Sequence, residues 1–213
     1  MLSAVLVMAG SAARMNINKN KVFLPLNGKM VFQHSLDLFL TLGFEVVCVI
    51  RPEDEAYLSG YSNVKIAYGG NTRQESVYNG LMQANGEYVL IHDAARPFVT
   101  EDTLKKCISV LINDNGVLVA TPVKDTIYRN NPIGSLKRDE LYSAQTPQGA
   151  DLKSMISCHK KAMEDGFLAT DDITLLLKYS DKKVQIIESS DKNFKITTQL
   201  DYIIAKEMVN NND

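Results

Sequence analysis

The chain has 213 residues, enough to bury a substantial core and to form one α/β domain rather than two full ones. It is 45% hydrophobic and 23% charged with a net charge of −2, a soluble balance that argues against a broad nucleic-acid surface and leaves room for a local basic pocket. Cys48, Cys107 and Cys158 are odd in number, far apart and without a C-x-x-C pair, so neither a disulfide framework nor a zinc site is expected and a reducing cytoplasm fits best.

The first apolar run, Leu2 to Ala9, is too short to span a bilayer, lacks a basic leader and ends in a glycine-containing loop; it reads as a first strand, with no membrane association expected. Further β-branched runs follow at Val46 to Ile50, Val64 to Ala67, Tyr88 to His92, Val117 to Val123 and Val184 to Glu188. Helical spacing is found at Met30 to Leu42, Arg73 to Ala84, Thr100 to Asn113, Asp151 to Asp165, Asp172 to Tyr179 and Thr198 to Val209. Gly43 is suited to close the first helix in a left-handed conformation, and Thr100, followed by two acids, to cap another.

Alternation of this kind predicts a single Rossmann-like α/β domain over residues 1–213, with a mostly parallel central sheet flanked by helices and ligands at the carboxyl ends of the strands. The exception is Lys124 to Thr146, which carries Asn130-Asn131-Pro132 and Gly134, lacks helical spacing and is long for a connection. It is expected to form a protruding β-arm; a surface loop is the simpler alternative.

Three strand-end loops carry chemistry. In the first, Ala9, Gly10, Ser11, Ala12 and Ala13 are small enough for the backbone to approach a polyphosphate, and Arg14 and Lys21 add a planar fork and a mobile point charge. An ordinary strand-to-helix connection with solvated cations would use the same residues. The loop is neither a Walker A loop nor a G-x-G-x-x-G fingerprint, and Met30 after Gly28-Lys29 offers no hydroxyl for magnesium, which disfavours P-loop hydrolysis and hydride transfer. In the second loop, Tyr68 to Ser76, Gly69 and Gly70 expose backbone groups able to read a pyrimidine edge, with Ser76 adding a hydrogen bond; a Gly-Gly turn with Asn71 or Thr72 capping the next helix is the alternative. In the third, His92-Asp93-Ala94-Ala95-Arg96-Pro97, Asp93 stands where a ligand binds and can hold Mg²⁺ or a ribose hydroxyl, or else Asp93 and Arg96 brace the turn. None of the three histidines is paired with a nucleophile, so all are read as structural.

Taken in order, A-G-S-A-A-R-M from Ala9, N-K-V-F-L-P-L from Asn20, G-G-N-T-R-Q-E-S-V from Gly69 and H-D-A-A-R-P from His92 resemble the 2-C-methyl-D-erythritol 4-phosphate cytidylyltransferases of the non-mevalonate isoprenoid pathway. P-V-K-D-T from Pro122, T-P-Q from Thr146, T-D-D from Thr170 and N-F-K-I-T from Asn193 extend the resemblance over nearly the whole chain. It implies transfer of CMP from CTP to a polyol phosphate with release of pyrophosphate, and a divalent cation, Mg²⁺, as cofactor. By the same resemblance Arg14, Lys21 and Lys195 neutralise the triphosphate and the transition state. Ala9, Gly10, Gly70, Asn71 and Ser76 recognise cytidine, and Asp93 lies beside the metal and the ribose.

The acceptor is expected against Thr126, Arg138, Thr146 and Lys195, with Arg96 and Asp125 shaping its pocket. The arms of two subunits are expected to interlock into a homodimer, with Arg138 acting across the interface. Met8, Ala12 and Asn71 depart from the family's usual alanine, glycine and aspartate. Two other readings remain: a ribitol-5-phosphate cytidylyltransferase, which shares the triphosphate loop and H-D-A-x-R-P, and a non-catalytic nucleotide-binding protein of the same fold.

Overall fold

A computed structural model describes residues 1–10 and 20–210. In chain order the elements are β1 (Leu2–Val7), β2 (Pro25–Leu26), β3 (Lys29–Met30), α1 (Val31–Thr41), β4 (Glu45–Ile50), β5 (Val64–Tyr68), α2 (Arg73–Leu81) and β6 (Tyr88–Asp93). There follow α3 (Glu101–Leu111), β7 (Gly116–Pro122), β8 (Tyr128–Arg129), β9 (Gly134–Ser135), β10 (Tyr142–Asp151), α4 (Leu152–Glu164), α5 (Asp172–Tyr179), β11 (Val184–Glu188) and α6 (Gln199–Asn210). The six helices lie where the apolar spacing places them. Their ends obey local chemistry: Gly43 takes φ 77° after α1, and the Thr100 hydroxyl accepts the Thr103 N–H at 3.2 Å to cap α3.

Seven strands form the central sheet in the order β11-β7-β10-β6-β1-β4-β5. β1 pairs in parallel with β4 and β6, β4 with β5, and β7 with β11, while β10 alone runs antiparallel between β6 and β7. The chain leaves β1 toward β4 and β5 and then returns to lay β6 on β1's other side. The loops after β1 and β6 therefore diverge and open a crevice at their carboxyl ends.

Side-chain alternation along the strands divides the core in two. Ala4, Leu6, Val46, Cys48 and Leu90 pack on one face with Phe32, Phe39 and Leu104 from α1 and α3. Val5, Val47, Val49, Val89 and Ile91 pack on the other with Leu81, Met155 and Leu176 from α2, α4 and α5. A smaller cluster of Leu26, Val31, Ile196 and Ala205 docks α6 on the β2–β3 hairpin, where the Tyr202 hydroxyl donates to the Pro25 carbonyl at 2.5 Å.

Strand β10 departs from the sequence expectation. Its residues Tyr-Ser-Ala-Gln-Thr-Pro-Gln-Gly-Ala-Asp hold no Val or Ile and include a proline and a glycine, so propensity does not mark them as a strand. Its pairing with β7 is interrupted between Ala144 and Gln148, and Pro147, which has no N–H to contribute to a ladder, sits in that interruption. The expected arm is therefore shorter in irregular structure than 124–146: its last residues belong to the sheet. What lies before them is an exposed segment with the two-residue β8–β9 pairing.

Gly149 marks the tightest approach in the sheet, because a Cβ there would lie 1.9 Å from the Val89 carbonyl oxygen. Backbone cannot yield as a rotamer does. Gly149→Ala is expected to destabilise the fold by about 1–3 kcal/mol or more, seen as a lower urea midpoint with an unchanged m-value. A midpoint equal to that of the wild type would show that β10 and β6 can separate locally at little cost.

Candidate active site

The loops after β1, β5 and β6 surround a cleft of about 450 Å³ at the crevice between β1 and β6. Each is tied in place by bonds that its own residues supply. Asn20 is tied to the end of β1, its side-chain amide donating to the Met8 carbonyl at 2.5 Å and so bringing Lys21, itself largely buried, beside that end. A Cβ on Gly69 would meet the Ala9 Cβ at 2.4 Å, so this glycine allows the first and second loops to touch rather than serving a ligand. Among the described residues, a Cβ on Gly10 would meet no atom within 4 Å, and Gly10 lines the cleft.

In the second loop the Gly70 N–H donates to Ser76 Oγ at 3.0 Å and the Asn71 N–H to Glu75 Oε2 at 2.8 Å. The Ser76 hydroxyl in turn donates to the Thr72 carbonyl at 2.9 Å, and Thr72 caps α2 by accepting the Glu75 N–H at 3.0 Å. The loop is thus held by its own hydrogen bonds, and two of the backbone donors expected to read a base are engaged within it.

Asp93 ends β6 with one cation on each carboxylate oxygen: Arg73 Nε lies 3.2 Å from Oδ1 and Lys195 Nζ 2.8 Å from Oδ2. Burial by itself would raise this carboxyl's pKa, but the Arg73 and Lys195 charges outweigh it and hold the group ionised, well below the usual carboxylate range. Arg73 is pushed the other way; burial disfavours its charge, and the carboxylates of Asp172 and Asp93 more than restore it. Among the described residues lining the cleft, Lys21, Arg73 and Lys195 supply three positive charges and Asp93 the one negative charge. A polyanion is the ligand for which such a surface is built.

Lys195 is presented by a loop braced on both sides. The Ile196 N–H donates to the Ala95 carbonyl at 2.9 Å and the fully buried Ile196 side chain anchors that end. On the other side Arg96 Nη1 donates to the Asn193 carbonyl at 2.8 Å, and the Asn193 amide donates to Gln145 Oε1 and the Thr146 carbonyl, each at 2.9 Å. Behind Asp93 runs a chain of fixed direction. The Asp93 N–H donates to Thr146 Oγ1 at 3.0 Å, that hydroxyl donates to His92 Nδ1 at 3.0 Å, and His92 Nε2–H donates to the Arg96 carbonyl at 3.1 Å. A carbonyl can only accept, so His92 carries a proton on Nε2, and burial, which pushes its pKa down to about 4, leaves Nδ1 unprotonated to accept from Thr146.

The cleft therefore brings together Ala9, Gly10, Lys21, Gly70, Asn71, Ser76, Asp93 and Lys195. Arg14 lies outside the described residues. Arg96 and Thr146 do not line the cleft; they brace the Lys195 loop and the end of β6 from behind. Asp125, Thr126 and Arg138 sit on the exposed segment before β10, where Arg138 Nη1 donates to the Lys124 carbonyl at 3.2 Å.

Arg73 joins the cleft from within the G-G-N-T-R-Q-E-S-V motif, with no role assigned to it from sequence. Arg73 opens α2, whose first turn also carries Glu75, and its two carboxylate partners lie far along the chain, so nothing local marks the pairing. The same holds for Asn193 and Asp172, whose partners are distant in the chain. As for metal, no group of three or more His, Cys, Asp or Glu is placed to hold an ion among the described residues. A lone carboxylate fits Mg²⁺ that arrives on phosphate oxygens rather than a resident ion.

A family model described as 2-C-methyl-D-erythritol 4-phosphate cytidylyltransferase matches residues 2–211. The enzyme of that name from Clostridioides difficile is 35% identical over 99% of this chain and 94% of its own length. That from Caldanaerobacter subterraneus is 38% identical over 96% and 97%. Among solved structures, the 4-diphosphocytidyl-2C-methyl-D-erythritol synthase of Anaerococcus prevotii superposes with a TM-score of 0.86 at 32% identity, over 98% of this chain and 96% of that one. No helix among the described residues is long and apolar enough to cross a membrane.

The buried neutral His92 sets a pH dependence. The unfolded chain protonates His92 near pH 6.5, and the folded state resists until about pH 4, so between those values the unfolded state binds more protons. Stability is expected to fall as pH drops from 6.5 to 4 and, for His92→Gln in metal-free buffer, to fall clearly less over that window, as read by urea midpoints at each pH. Identical slopes for the two proteins would mean that His92 titrates normally when folded.

Proposed function

The chain belongs to the 2-C-methyl-D-erythritol 4-phosphate cytidylyltransferase family, and on that premise we propose that it transfers CMP from CTP to 2-C-methyl-D-erythritol 4-phosphate in isoprenoid precursor biosynthesis. The products are 4-diphosphocytidyl-2-C-methyl-D-erythritol and pyrophosphate. The observation that carries this reading is the convergence of Lys21, Arg73 and Lys195 with Asp93 on one cleft at the β1–β6 crevice.

A phosphate oxygen of the acceptor attacks the α-phosphorus of CTP. The new P–O bond forms as the α–β phosphoanhydride bond breaks, and its electron pair leaves with pyrophosphate. The nucleophile is already ionised near neutral pH, so no general base is needed and no covalent enzyme intermediate forms. What the site must supply is in-line positioning and neutralisation of negative charge. Lys21 and Arg14 serve the triphosphate, and Lys195 serves the acceptor phosphate and the charge developing between the two substrates. Ala9, Gly10, Gly70, Asn71 and Ser76 form the wall for cytidine, and Asp93 is the carboxylate suited to Mg²⁺. When bound, that ion neutralises phosphate oxygens and so lowers the repulsion met by the anionic nucleophile.

The acceptor is assigned to Thr126, Arg138 and Asp125 around Lys195, with Thr146 and Arg96 shaping that pocket from behind. Since the segment holding Thr126 and Arg138 is exposed within one chain and carries the exposed apolar side chains Ile127, Tyr128 and Ile133, it suits a homodimer in which one subunit completes its partner's site. Free, buried cysteines suit a reducing cytoplasm.

The relatives reported above all act, by name, on methylerythritol phosphate, which favours that acceptor over ribitol 5-phosphate. Pyrophosphate release from CTP should therefore be faster with 2-C-methyl-D-erythritol 4-phosphate than with ribitol 5-phosphate; the reverse order would replace the acceptor, and release with neither would favour a nucleotide-binding protein. Lys21→Ala is expected to lower kcat by about 10²-fold or more, and Arg138→Ala to act mainly on the acceptor's KM. At acceptor concentrations where both variants are impaired, mixing and re-associating them should restore roughly a quarter of the wild-type rate if sites are shared. A mixture no more active than the average of its parents would place both residues in one subunit's site.

A further inference from the structure

Arg73 does not bind Asp93 alone. Its Nη2 donates to Asp172 Oδ2 at 2.9 Å, so a single planar guanidinium bridges two carboxylates and fixes the position of one by the position of the other. Asp172 is the anchored end. It is 1% exposed, its other oxygen faces the buried His159 ring 3.5 Å away, and it opens α5 directly after the capping residue Asp171. Its backbone N–H and that of Ile173 both donate to Gln148 Oε1, at 3.1 and 3.2 Å, and the Gln148 amide donates to the Gln145 carbonyl at 3.0 Å. The start of α5 is thereby locked to β10, the strand whose Thr146 receives the Asp93 N–H.

We propose that Asp172 is a positioning residue for the transfer reaction, holding Arg73 so that Asp93 keeps one oxygen for Lys195 and aims that ammonium into the cleft. The geometry gives the reason. A guanidinium released from Asp172 is free to take both oxygens of Asp93 as a fork, the arrangement that arginine and carboxylate prefer, and in doing so competes with Lys195 for Oδ2. Charge acts in the same direction: two carboxylates and two cations alternate along the row from Asp172 to Lys195, and neutralising the far carboxylate leaves Arg73 bound to Asp93 alone. Asp172 itself lies outside the cleft lining, so its effect must pass through Arg73.

This inference rests on the assignment of Lys195 to the reaction, and the test separates the two. Steady-state pyrophosphate release with CTP, Mg²⁺ and 2-C-methyl-D-erythritol 4-phosphate is measured for Asp172→Asn in the wild-type and Lys195→Ala backgrounds, with Lys195→Ala followed for hours. Asp172→Asn is expected to lower kcat at least tenfold with the KM for CTP changed less than threefold. In the Lys195→Ala background it is expected to change kcat by less than twofold, because the group it positions is gone. A loss by the same factor in both backgrounds, or an unchanged kcat in the first, overturns the proposal. If Lys195→Ala alone leaves turnover unchanged, the assignment of Lys195 falls and this inference falls with it. Should Asp172→Asn fail to fold, Arg73→Lys, which keeps the charge but cannot bridge two carboxylates as a planar fork, is carried through the same cycle against the same criteria.

Discussion

The carboxylate of Asp93 is buried at the end of a central strand and stays ionised because a guanidinium and an ammonium each hold one of its oxygens. Removing one partner from such a buried cluster typically costs about 3–5 kcal/mol, since it leaves a charge uncompensated. The three elements that supply the charges are thus bound to one another before any substrate enters. Arg73 begins α2, Asp93 ends β6 and Lys195 comes from the loop before α6, so segments more than a hundred residues apart meet within one hydrogen-bond length. A site that must stabilise a polyanion gains most from charges that need no reorganisation when the reaction begins.

The supports of this cluster explain features of the fold that are otherwise odd. Strand β10 intrudes antiparallel between β6 and β7, and its interrupted pairing places Gln145 and Thr146 where they receive the Asn193 amide and the Asp93 N–H. His92, fully buried and neutral, transmits the Thr146 contact to the Arg96 backbone, and the Arg96 side chain then reaches Asn193 beneath Lys195. The H-D-A-A-R-P run is therefore one connected brace in which Asp93 alone faces the cleft with its charge.

Much of this was legible in the sequence where a single local rule decides the outcome. Among the described residues, apolar periodicity located all six helices and β-branched runs six of the seven sheet strands, because burial imposes those patterns directly. Small residues after β1 and the carboxylate that ends β6 marked the cleft because ligands gather at the carboxyl ends of such strands. Strand β10 was hidden because its pairing, not its composition, makes it a strand. Asp172 and Asn193 were hidden because their value lies in partners far along the chain; Arg96 read as a turn brace or as a residue shaping the acceptor pocket, and Thr146 as an acceptor contact, until their partners were seen. Arg73 was hidden for the same reason, since the carboxylates it bridges lie 20 and 99 residues further along the chain.

The Asp93 carboxylate organises the site, and kcat for Asp93→Asn at saturating CTP, Mg²⁺ and 2-C-methyl-D-erythritol 4-phosphate is the direct test of that role. The substitution keeps the size and one acceptor oxygen but discharges the group between Arg73 and Lys195. With folding confirmed by circular dichroism, kcat is expected to fall about 10²-fold or more. A kcat within threefold of the wild type would contradict the account.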